Sequence, residues 1–550
     1  MNFKEKVNVL WFRNGLRLHD NESLRIATKD KTCKLLPLFI FDGETPTTKH
    51  CRFNKISFLL ECLEDLDTQF WYFGGKINLV EGDPVEVIKV LSKQFNIQKL
   101  CFDQNSEPIW LDRDNAVKNF CGTHRISVSE CIEQSLWDPL EIIDANGGTP
   151  PLTYSHFCHV IKTVGPPRRP LPDVDLRKVK FLELESYPHM LASLTVFPHL
   201  PTPQMLGIER ESGENKIYNG GERVALKYLN RAIKLEKETF LLGSNKRKRG
   251  ILHAPHSLSP DFKFGCISVR RFYWNIMDAW KEVNKNDPPG SFNIVSQLIW
   301  REFFYAMSAN NPFYGEMKRN PICINVPWYE NQDHLAAFWS GNTGFPFIDA
   351  GINQMKKEGW THNIVRNALS MFLTRGDLWL SWEHGLKFFL NYMIDSDWAV
   401  CAGNWMWLSS SAFEKSLNNN LSLDPTIYGW VDRGPRDFYI DHIDRCMVDP
   451  DGDYIRKYLP QLSKMPAEFI YEPWRAPTSV QREARCVIGV DYPPPIVNHS
   501  EVSKRNRDMM EELQGTLMKK CNMEPEHIKP SDDSEIEHFF GLPCSGPGSK

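Results

Sequence analysis

Short apolar runs alternate with amphipathic stretches through the first hundred residues of the chain. Four runs have the length and apolar content of buried strands, and the segments between them repeat apolar residues at helical spacing. The predicted strands are residues 7–12, 35–41, 77–81 and 99–102. The predicted helices start near Asp20 or Asn21 and cover residues 53–70 and 84–95. This alternation is typical of an α/β domain built on a doubly wound parallel sheet, which we place at residues 1–135.

The pattern changes twice after this domain. Prolines interrupt every longer element between residues 136 and 220, which predicts an extended interdomain connector. From residue 221 helical spacing dominates and predicts a large all-α domain, 221–500. Its clearest helices are predicted at 291–308, 347–359, 363–373 and 382–393. Residues 501–550 contain a last amphipathic helix at 502–520 and a polar, acidic tail.

The composition narrows the class of protein. The 550 residues carry a net charge of −4, so the surface as a whole is not a nucleic-acid footprint. No uncharged apolar run approaches the roughly 20 residues of a membrane span. The N-terminus lacks the apolar core of a signal peptide, and the 14 Cys residues include no C-x-x-C pair. We therefore expect a protein without membrane spans in a reducing compartment.

A serine-rich helix start is the first candidate site. No G-x-G-x-x-G follows a predicted strand, so the usual dinucleotide fingerprint is missing from the α/β domain. Residues 257–268 (SLSPDFKFGCIS) instead place hydroxyls and backbone amides ahead of a helix, an arrangement that commonly holds phosphate groups. Serines at helix starts are also ordinary caps, so this segment alone does not identify a site.

Five motifs follow one another in the order and spacing of one family. They are residues 10–21 (LWFRNGLRLHDN), 297–304 (QLIWREFF), 343–350 (TGFPFIDA), 395–398 (DSDW) and 403–407 (GNWMW). With them the sequence closely resembles the photolyase/cryptochrome family, over nearly the whole chain up to residues 471–474 (YEPW). The resemblance implies an α/β domain followed by a helical domain that folds around FAD.

The resemblance also implies which residues contact the cofactor. It places Ser257 and Ser259 near the FAD phosphates. Arg366 is a permanent cation that can pair with Asp395, and such a pair would stabilise negative charge on a reduced flavin. The alternative for this pair is an ordinary structural salt bridge. The expected FAD contacts are Ser257, Leu258, Ser259, Gln297, Trp300, Arg301, His362, Asn363, Arg366, Asp395, Asp397, Cys401 and Asn404.

Cys401 and four tryptophans carry the expected photochemistry. By the resemblance, DNA-repairing relatives have Asn facing flavin N5 at the position of Cys401, whereas insect-type cryptochromes have Cys. A thiol is a poorer hydrogen-bond acceptor than an amide. We therefore expect photoreduction to stop at an anionic flavin radical.

Four tryptophans match the family's chain of electron donors from flavin to surface, and these are Trp405, Trp382, Trp328 and Trp379. Trp379 and Trp382 are three residues apart, so we expect them on one helical face. Without the resemblance, the simpler alternative is that these tryptophans and Cys401 are ordinary residues of the hydrophobic core.

Three positions bear on DNA repair. Photolyases that repair six-four lesions use two His residues where this chain has Asn363 and Asn367, and an amide cannot act as a general acid near neutral pH. Photolyases that act on cyclobutane dimers have Glu where this chain has Gln297, although Asn363 matches them. Insect-type cryptochromes typically have His at position 363, so no protonation sensor is expected there. A DNA photolyase and a light-independent transcriptional repressor of the vertebrate class remain as alternatives.

The C-terminal tail and two other segments complete the sequence picture. Phe539 and Phe540 resemble a tail motif that docks where photolyases admit a damaged base, although Gly541 stands where a third aromatic is expected. Residues 246–249 (KRKR) are a candidate nuclear-import signal, with a solvated loop as the simpler alternative. Residues 423–449 depart from the family pattern.

The prediction that results is a blue-light photoreceptor and not an enzyme. Light would excite FAD, the tryptophan chain would reduce it through Trp405, and the new charge beside Arg366, Asp395 and Cys401 would release the tail. The resemblance implies timeless-like clock proteins and a ubiquitin-ligase adaptor as partners, with circadian clock entrainment as the output. No metal is expected, DNA binding is expected to be weak, and the expected location is the cytoplasm and nucleus.

Overall fold

A six-stranded sheet organises the N-terminal part of the chain. The computed structural model describes residues 4–43, 52–105, 107–188, 192–242, 251–252, 257–285, 293–413, 449 and 451–520. The strands are β1 (Lys6–Phe12), β2 (Lys34–Phe41), β3 (Asn78–Glu81), β4 (Asn96–Asp103), β5 (Ser127–Cys131) and β6 (Thr195–Phe197). Their order is β5-β4-β1-β2-β3-β6, and all neighbours are parallel except β3 and β6.

Helices cover both faces of the sheet. The first four are α1 (Glu22–Ala27), α2 (Phe53–Tyr72), α3 (Pro84–Gln94) and α4 (Pro108–Thr123). Successive residues of β1 point to opposite faces. Leu10 therefore joins the core that contains α1 and α2, whereas Val9 joins a second core formed with α3 and α4. The predicted doubly wound α/β sheet is confirmed, and Asn21 caps α1 as its position suggested.

The segment predicted as an extended connector contains regular structure. It includes α5 (Pro139–Ala145), α6 (Tyr154–Val164) and β6, with single 3-10 turns between them. Strand β6 closes the sheet edge beside β3, and Val196 pairs with Val80. The proline-rich chain after α6 therefore returns to the first domain before it enters the second.

The described part of the chain beyond residue 221 is helical. Its elements are α7 (Glu222–Leu242), α8 (Ser259–Lys263), α9 (Val269–Asn284), α10 (Asn293–Ser308), α11 (Gln332–Ser340), α12 (Pro346–Glu358), α13 (Asn363–Met371), α14 (Trp382–Tyr392), α15 (Trp398–Leu408), α16 (Asp453–Tyr458), α17 (Thr478–Glu483) and α18 (His499–Lys520). A π-helical turn, Phe372–Gly376, follows α13 and contains a backbone break at Thr374. No helix among the described residues is both long and apolar enough to cross a membrane.

Buried charges join the two domains. Arg17, which follows β1, donates to the Glu133 carboxylate at 2.7 Å and to the backbone oxygen of Gly265 at 2.9 Å. Arg270 on α9 reaches back to Asp20 at 3.0 Å. Gly265 has a left-handed φ of +66°, and a Cβ there would overlap the backbone of Asn14. The loop before α9 is thus fixed against the sheet domain, which also fixes α8 beside the candidate site.

Candidate functional site

An ion pair between two helical segments forms the centre of the site. Arg366, in the first turn and a half of α13, donates from Nη2 to Oδ2 of Asp395 at 2.8 Å. Its Nε donates to the backbone oxygen of Thr361 at 2.9 Å, which fixes the direction of the side chain. Asp395 is buried, and its Oδ1 has no hydrogen-bond partner among the described residues. A buried carboxylate oxygen without a donor points to a missing partner.

The serine segment joins the same carboxylate. Ser259 donates from Oγ to Oδ2 of Asp395 at 2.5 Å, and the hydroxyl of Ser257 lies 2.8 Å from that of Ser259. Leu258 between them is buried, whereas Ser257 is exposed. Helix α8 begins at Ser259 and has only five residues. The three residues predicted from the motif therefore lie together at the rim of the ion pair.

A second carboxylate lies at the start of α15. Asp397 caps this helix by accepting from Val400 N, and its Oδ2 accepts from the Tyr305 hydroxyl at 2.6 Å. Arg301 on α10 donates to the same hydroxyl oxygen at 3.2 Å. Burial by itself would raise the pKa of Asp397, but Lys263 and Arg301 outweigh it and hold that pKa below its usual range. Asp397 is therefore a lasting anion within this group.

Three residues of the site were missed from the sequence. Lys263, at the end of α8, is only 7% exposed, and its ammonium has no ion pair within the described part of the chain. Gln134 follows β5, accepts from Arg301 through its backbone oxygen at 2.6 Å, and has a buried side-chain nitrogen without a partner. Tyr305 is the third. Lys263 lies inside the quoted 257–268 motif and could have been proposed, whereas Gln134 lies in a segment without a motif.

Cys401 lies one turn into α15, close enough to both carboxylates for their charges to act on its thiol. Burial first, and then the charges of Asp395 and Asp397, raise the pKa of its thiol to about 12. The thiol is therefore protonated and neutral at physiological pH. A neutral thiol is a weak donor and a weak acceptor, so it supplies little hydrogen bonding to a group placed next to it.

The remaining predicted contacts form the outer part of the site. Trp300 stacks on Tyr154 with ring centroids 3.9 Å apart. His362 caps α13, and its Nδ1 accepts from Ile364 N at 3.2 Å. Asn404 donates its amide to the backbone oxygen of Val400 at 2.8 Å. Two exposed amides complete the set, and these are Gln297 and Asn363.

The four tryptophans are placed in two groups. Trp405 on α15 and Trp382 on α14 are both fully buried, and a Cβ at Gly385, one turn after Trp382, would overlap the ring of Trp405. Trp328 and Trp379 form the second group, with ring centroids 5.0 Å apart. The prediction that Trp379 shares a helical face with Trp382 is wrong. Trp379 precedes α14 and has a positive φ of 53°, because the chain breaks after the π-helical turn.

The residues fit FAD as the cofactor. Three cations, Arg301, Arg366 and Lys263, suit the diphosphate and a reduced, negatively charged ring, and the serine hydroxyls suit phosphate or ribose. The orphaned Oδ1 of Asp395 and amide nitrogen of Gln134 leave one acceptor and one donor for a polar ligand. Within the described residues, no group of three His, Cys, Asp or Glu side chains is arranged to hold a metal ion.

Several predictions fall outside the described residues. The tail residues Phe539 and Phe540, the basic cluster 246–249 and nearly all of the segment 423–449 belong to this group. Of that last segment the structure describes Asp449, whose carboxylate accepts from Tyr454 N. Tail docking and nuclear import therefore remain predictions.

Comparisons with known families and proteins identify the domains that the chain contains. The family model described as the FAD binding domain of DNA photolyase matches residues 294–512, and the model described as DNA photolyase matches residues 8–174. The fold resembles the crystal structure of a cryptochrome from Synechocystis, with a TM-score of 0.74, 20% identity and coverage of 92% of this chain and 100% of that one. It also resembles a class III photolyase from Agrobacterium tumefaciens, with a TM-score of 0.70, 23% identity and coverage of 94% and 99%.

Curated relatives align over almost the full length. Cryptochrome-1 of Aedes aegypti is 43% identical over 98% of this chain and 98% of the relative, and Cryptochrome-1 of Drosophila melanogaster is 41% identical with the same coverage. Cryptochrome-1 of Mus musculus is 38% identical over 92% of this chain and 80% of the relative. The similarity therefore extends across both domains.

Proposed function

The chain belongs to the photolyase/cryptochrome family and carries its FAD-binding domain, and we propose that it is a blue-light photoreceptor of the insect type and not a DNA-repair enzyme. The support from similarity is the high identity to insect proteins named cryptochrome-1 over both domains. The bound FAD supplies absorption of blue light and acceptance of an electron. The protein residues supply the electron and respond to the charge that results.

One arrangement carries this proposal. Helix α15 places Cys401 and Trp405 one turn apart, with the Arg366–Asp395 pair beside the thiol. Trp405 is buried against α14, which carries Trp382, and the rings of Trp328 and Trp379 are in contact with each other. An indole is a good one-electron donor only when the next donor is close enough to refill it. Three buried tryptophans and the half-buried Trp328 therefore support electron delivery to the site.

The chemistry at the outer part of the site favours sensing over repair. Asn363 and Asn367 occupy the positions where a six-four photolyase would need titratable side chains, and Asn367 is buried. Neither amide can donate a proton as a general acid near neutral pH. Asn363 is exposed at the start of α13 and matches photolyases that act on cyclobutane dimers, so that activity is the second candidate.

The first test is photoreduction of the purified protein with FAD bound. We expect blue light to bleach the flavin band of the wild type and of Trp71→Phe, a control for the general effect of losing an indole, since Trp71 is 75% exposed. We expect Trp405→Phe to keep its FAD and lose most of the bleaching. Bleaching at the wild-type rate in Trp405→Phe would contradict the tryptophan chain.

The same preparation separates the alternatives. A chain that retains no FAD after purification would point to a light-independent repressor. Binding of an oligonucleotide that contains a cyclobutane dimer, followed by light-dependent loss of the dimer, would establish repair activity. Absence of binding to damaged DNA, together with photoreduction, is the result that the photoreceptor proposal requires.

The output of the receptor forms the last part of the proposal. The support is the similarity to insect proteins named cryptochrome-1 and the tail motif with Phe539 and Phe540. Light would loosen the tail and change the affinity for a timeless-like clock protein and a ubiquitin-ligase adaptor in the cytoplasm and nucleus. Light-dependent co-precipitation with these candidates tests the partners, and alanine substitution of residues 246–249 in a fluorescent fusion tests nuclear import.

A further inference from the structure

The last tryptophan of the chain does not lie at the surface. Trp379 is 0% exposed, although the sequence predicts it as the fourth and last donor, and its Nε1 donates to the backbone oxygen of Pro327 at 3.0 Å. The C-terminal helix α18 supplies part of the cover, because Trp379 forms a small separate core with Val326 and with Met510 of that helix. An electron path that ends here ends under this helix.

Polar contacts fasten α18 over the π-helical turn. Asn506 is 0% exposed, and its amide nitrogen lies 3.1 Å from the backbone oxygen of Gly376 and 3.2 Å from that of Asp377. The π-helical turn ends at Gly376, so the carbonyls of Gly376 and Asp377 have no following helical turn to donate to them and need donors from elsewhere. His499, at the first turn of α18, contacts the Asp377 carboxylate at 2.7 Å. Both side chains therefore contact residues, Gly376 and Asp377, that lie within three positions of Trp379 in the sequence.

Apolar and sulfur-containing side chains of α18 pack against the tryptophan rings beside these polar contacts. Met509 and Leu513 pack at the margin of the Val326–Trp379–Met510 core, together with Trp328. The hydroxyl of Tyr329 lies 3.3 Å from the sulfur of Met509. Methionine adapts its shape to aromatic neighbours, which suits a contact that must cover an indole without fixed geometry. This part of the cover is thus formed by one face of α18.

We infer that α18 is a lid over the outer end of the tryptophan chain, and that its docking sets how fast a soluble reductant refills Trp379. This inference rests on the proposed electron-transfer function. When Trp405 gives up an electron, the vacancy moves through the chain to Trp379, and one electron from a soluble donor such as ascorbate restores the neutral ring. A docked helix keeps the donor at a distance, and local opening of α18 lets it approach.

Flash photolysis of the FAD-loaded full chain tests the lid. The decay rate of the tryptophan radical is measured against ascorbate concentration for wild type, Asn506→Ala and the control Lys504→Ala, whose side chain is exposed on the same helix. We expect the slope to rise about fivefold in Asn506→Ala, as loss of one buried hydrogen bond shifts a local opening equilibrium by that order. We expect no change in Lys504→Ala. Equal slopes in all three proteins would overturn the lid.

A second variant guards against misfolding of the first. Met510→Ala removes the side chain over Trp379 and keeps both bonds of Asn506, so it opens the cover without releasing the polar contacts of α18. Circular dichroism shows whether each variant is folded. A raised slope in Met510→Ala supports the lid even if Asn506→Ala fails to fold, and a wild-type slope in folded Met510→Ala contradicts it.

A measurement in the dark distinguishes the lid from the proposed function. Hydroxyl-radical footprinting should label Trp379 more strongly in Asn506→Ala than in wild type or Lys504→Ala, whereas labelling of buried Trp382 should stay unchanged. Increased labelling without any light-driven tryptophan radical would support the lid and contradict electron transfer. A radical with normal labelling and a normal slope would support electron transfer and contradict the lid.

Discussion

At the scale of single residues, Cys401 shows how burial determines what a side chain can offer. Burial, and after it the charges of Asp395 and Asp397, keep its thiol neutral, with a pKa raised to about 12. A carboxylate or an amide at the same place on α15 would accept a hydrogen bond that the thiol accepts poorly. In the proposed photoreceptor, the identity of this one residue would therefore affect whether a reduced flavin next to it keeps an added proton.

The first prediction exchanges this thiol for an amide. Cys401→Asn should shift the light-induced product from the anionic to the protonated reduced flavin, because the amide oxygen accepts the hydrogen bond of the added proton. The absorption spectrum after illumination measures the shift. Cys401→Ala, which has no acceptor, is the matched control and should keep the anionic spectrum. Identical spectra for all three proteins would show that position 401 does not control the proton.

Lys263 and Trp379 show what single-sequence reasoning reaches at this scale. The resemblance to the photolyase/cryptochrome family identified Arg366, Asp395 and Ser259, which the structure brings together. Lys263 also lies inside one of the sequence motifs, residues 257–268, but that segment fits an ordinary helix cap equally well. The position of Trp379 could not be predicted, because the backbone break at Thr374 depends on how the π-helical turn packs, and spacing of three residues assumes an unbroken helix.

At the scale of elements, the contact between α14 and α15 positions Trp405 and Trp382, the first two donors of the proposed chain. Gly385 has no side chain, and the ring of Trp405 occupies the space where a Cβ would be. A glycine in a helix interior costs about 0.5 to 1 kcal/mol relative to alanine. The close approach of the two helices explains why a glycine is nevertheless used here.

The second prediction follows from this contact. Gly385→Ala should displace the Trp405 ring, destabilise the protein by about 1 to 3 kcal/mol through overpacking, and slow photoreduction. Urea unfolding and flavin bleaching measure the two effects. Gly122→Ala in α4 is the matched control, since a Cβ there meets nothing within 4 Å, and it should leave both properties unchanged or raise stability slightly. Normal photoreduction in a folded Gly385→Ala protein would argue against the assigned position of Trp405 in the chain.

A buried carboxylate connects α12 to the chain before α18. Asp349 accepts from Thr343 N at 2.8 Å, from Gly344 N at 3.1 Å and from the Tyr492 hydroxyl at 2.5 Å. Burial raises the pKa of Asp349 to about 6 despite these hydrogen bonds. Since the folded pKa lies above the unfolded one, the contribution of Asp349 to stability is complete below about pH 4 and is lost as the pH rises through about 6.

The third prediction follows from this loss of stability with rising pH. Between pH 4 and 7 the free energy of unfolding of the wild type should fall relative to Asp349→Asn, by about 3 kcal/mol at about 1.4 kcal/mol per pKa unit. Asn imitates the protonated acid and cannot ionise, so comparison of the two proteins cancels the titration of other groups. Urea unfolding at each pH measures the difference. Parallel curves for the two proteins would mean that Asp349 keeps the same pKa in both states.

Element prediction succeeded where the pattern is long. The strands β1 and β2 and the helices α2 and α12 were expected from ten or more periodic positions or from continuous apolar runs. Strand β6 has three residues, too few for a periodicity, and it exists because β3 offers it an open edge. Its partner is more than a hundred residues away in sequence. Such pairing depends on the assembled sheet and cannot be derived from the segment itself.

At the scale of the whole molecule, the site depends on how the two domains are joined. Residues after β5 supply Gln134, and the loop before α9 is fixed to the sheet domain next to α8, so the cofactor site is assembled from both domains. The charges of Arg17, Glu133 and Arg270 are buried in one cluster, where ion pairs between them replace their contacts with water. The interface is therefore rigid only while every charge in it has a partner.

The last prediction tests this dependence. Arg17→Met removes the donor to both Glu133 and Gly265 and leaves part of the Glu133 charge uncompensated, which should cost about 3 to 5 kcal/mol. Calorimetry should then show two unfolding transitions in place of one, because the domains no longer unfold as a unit, and retention of FAD should fall since the site spans both. Arg177→Met is the control, because Arg177 pairs with Asp175 on the surface and should leave the transition unchanged. A single transition of wild-type midpoint in Arg17→Met would mean that apolar packing alone holds the domains together, and the cofactor site would then be independent of this charge cluster.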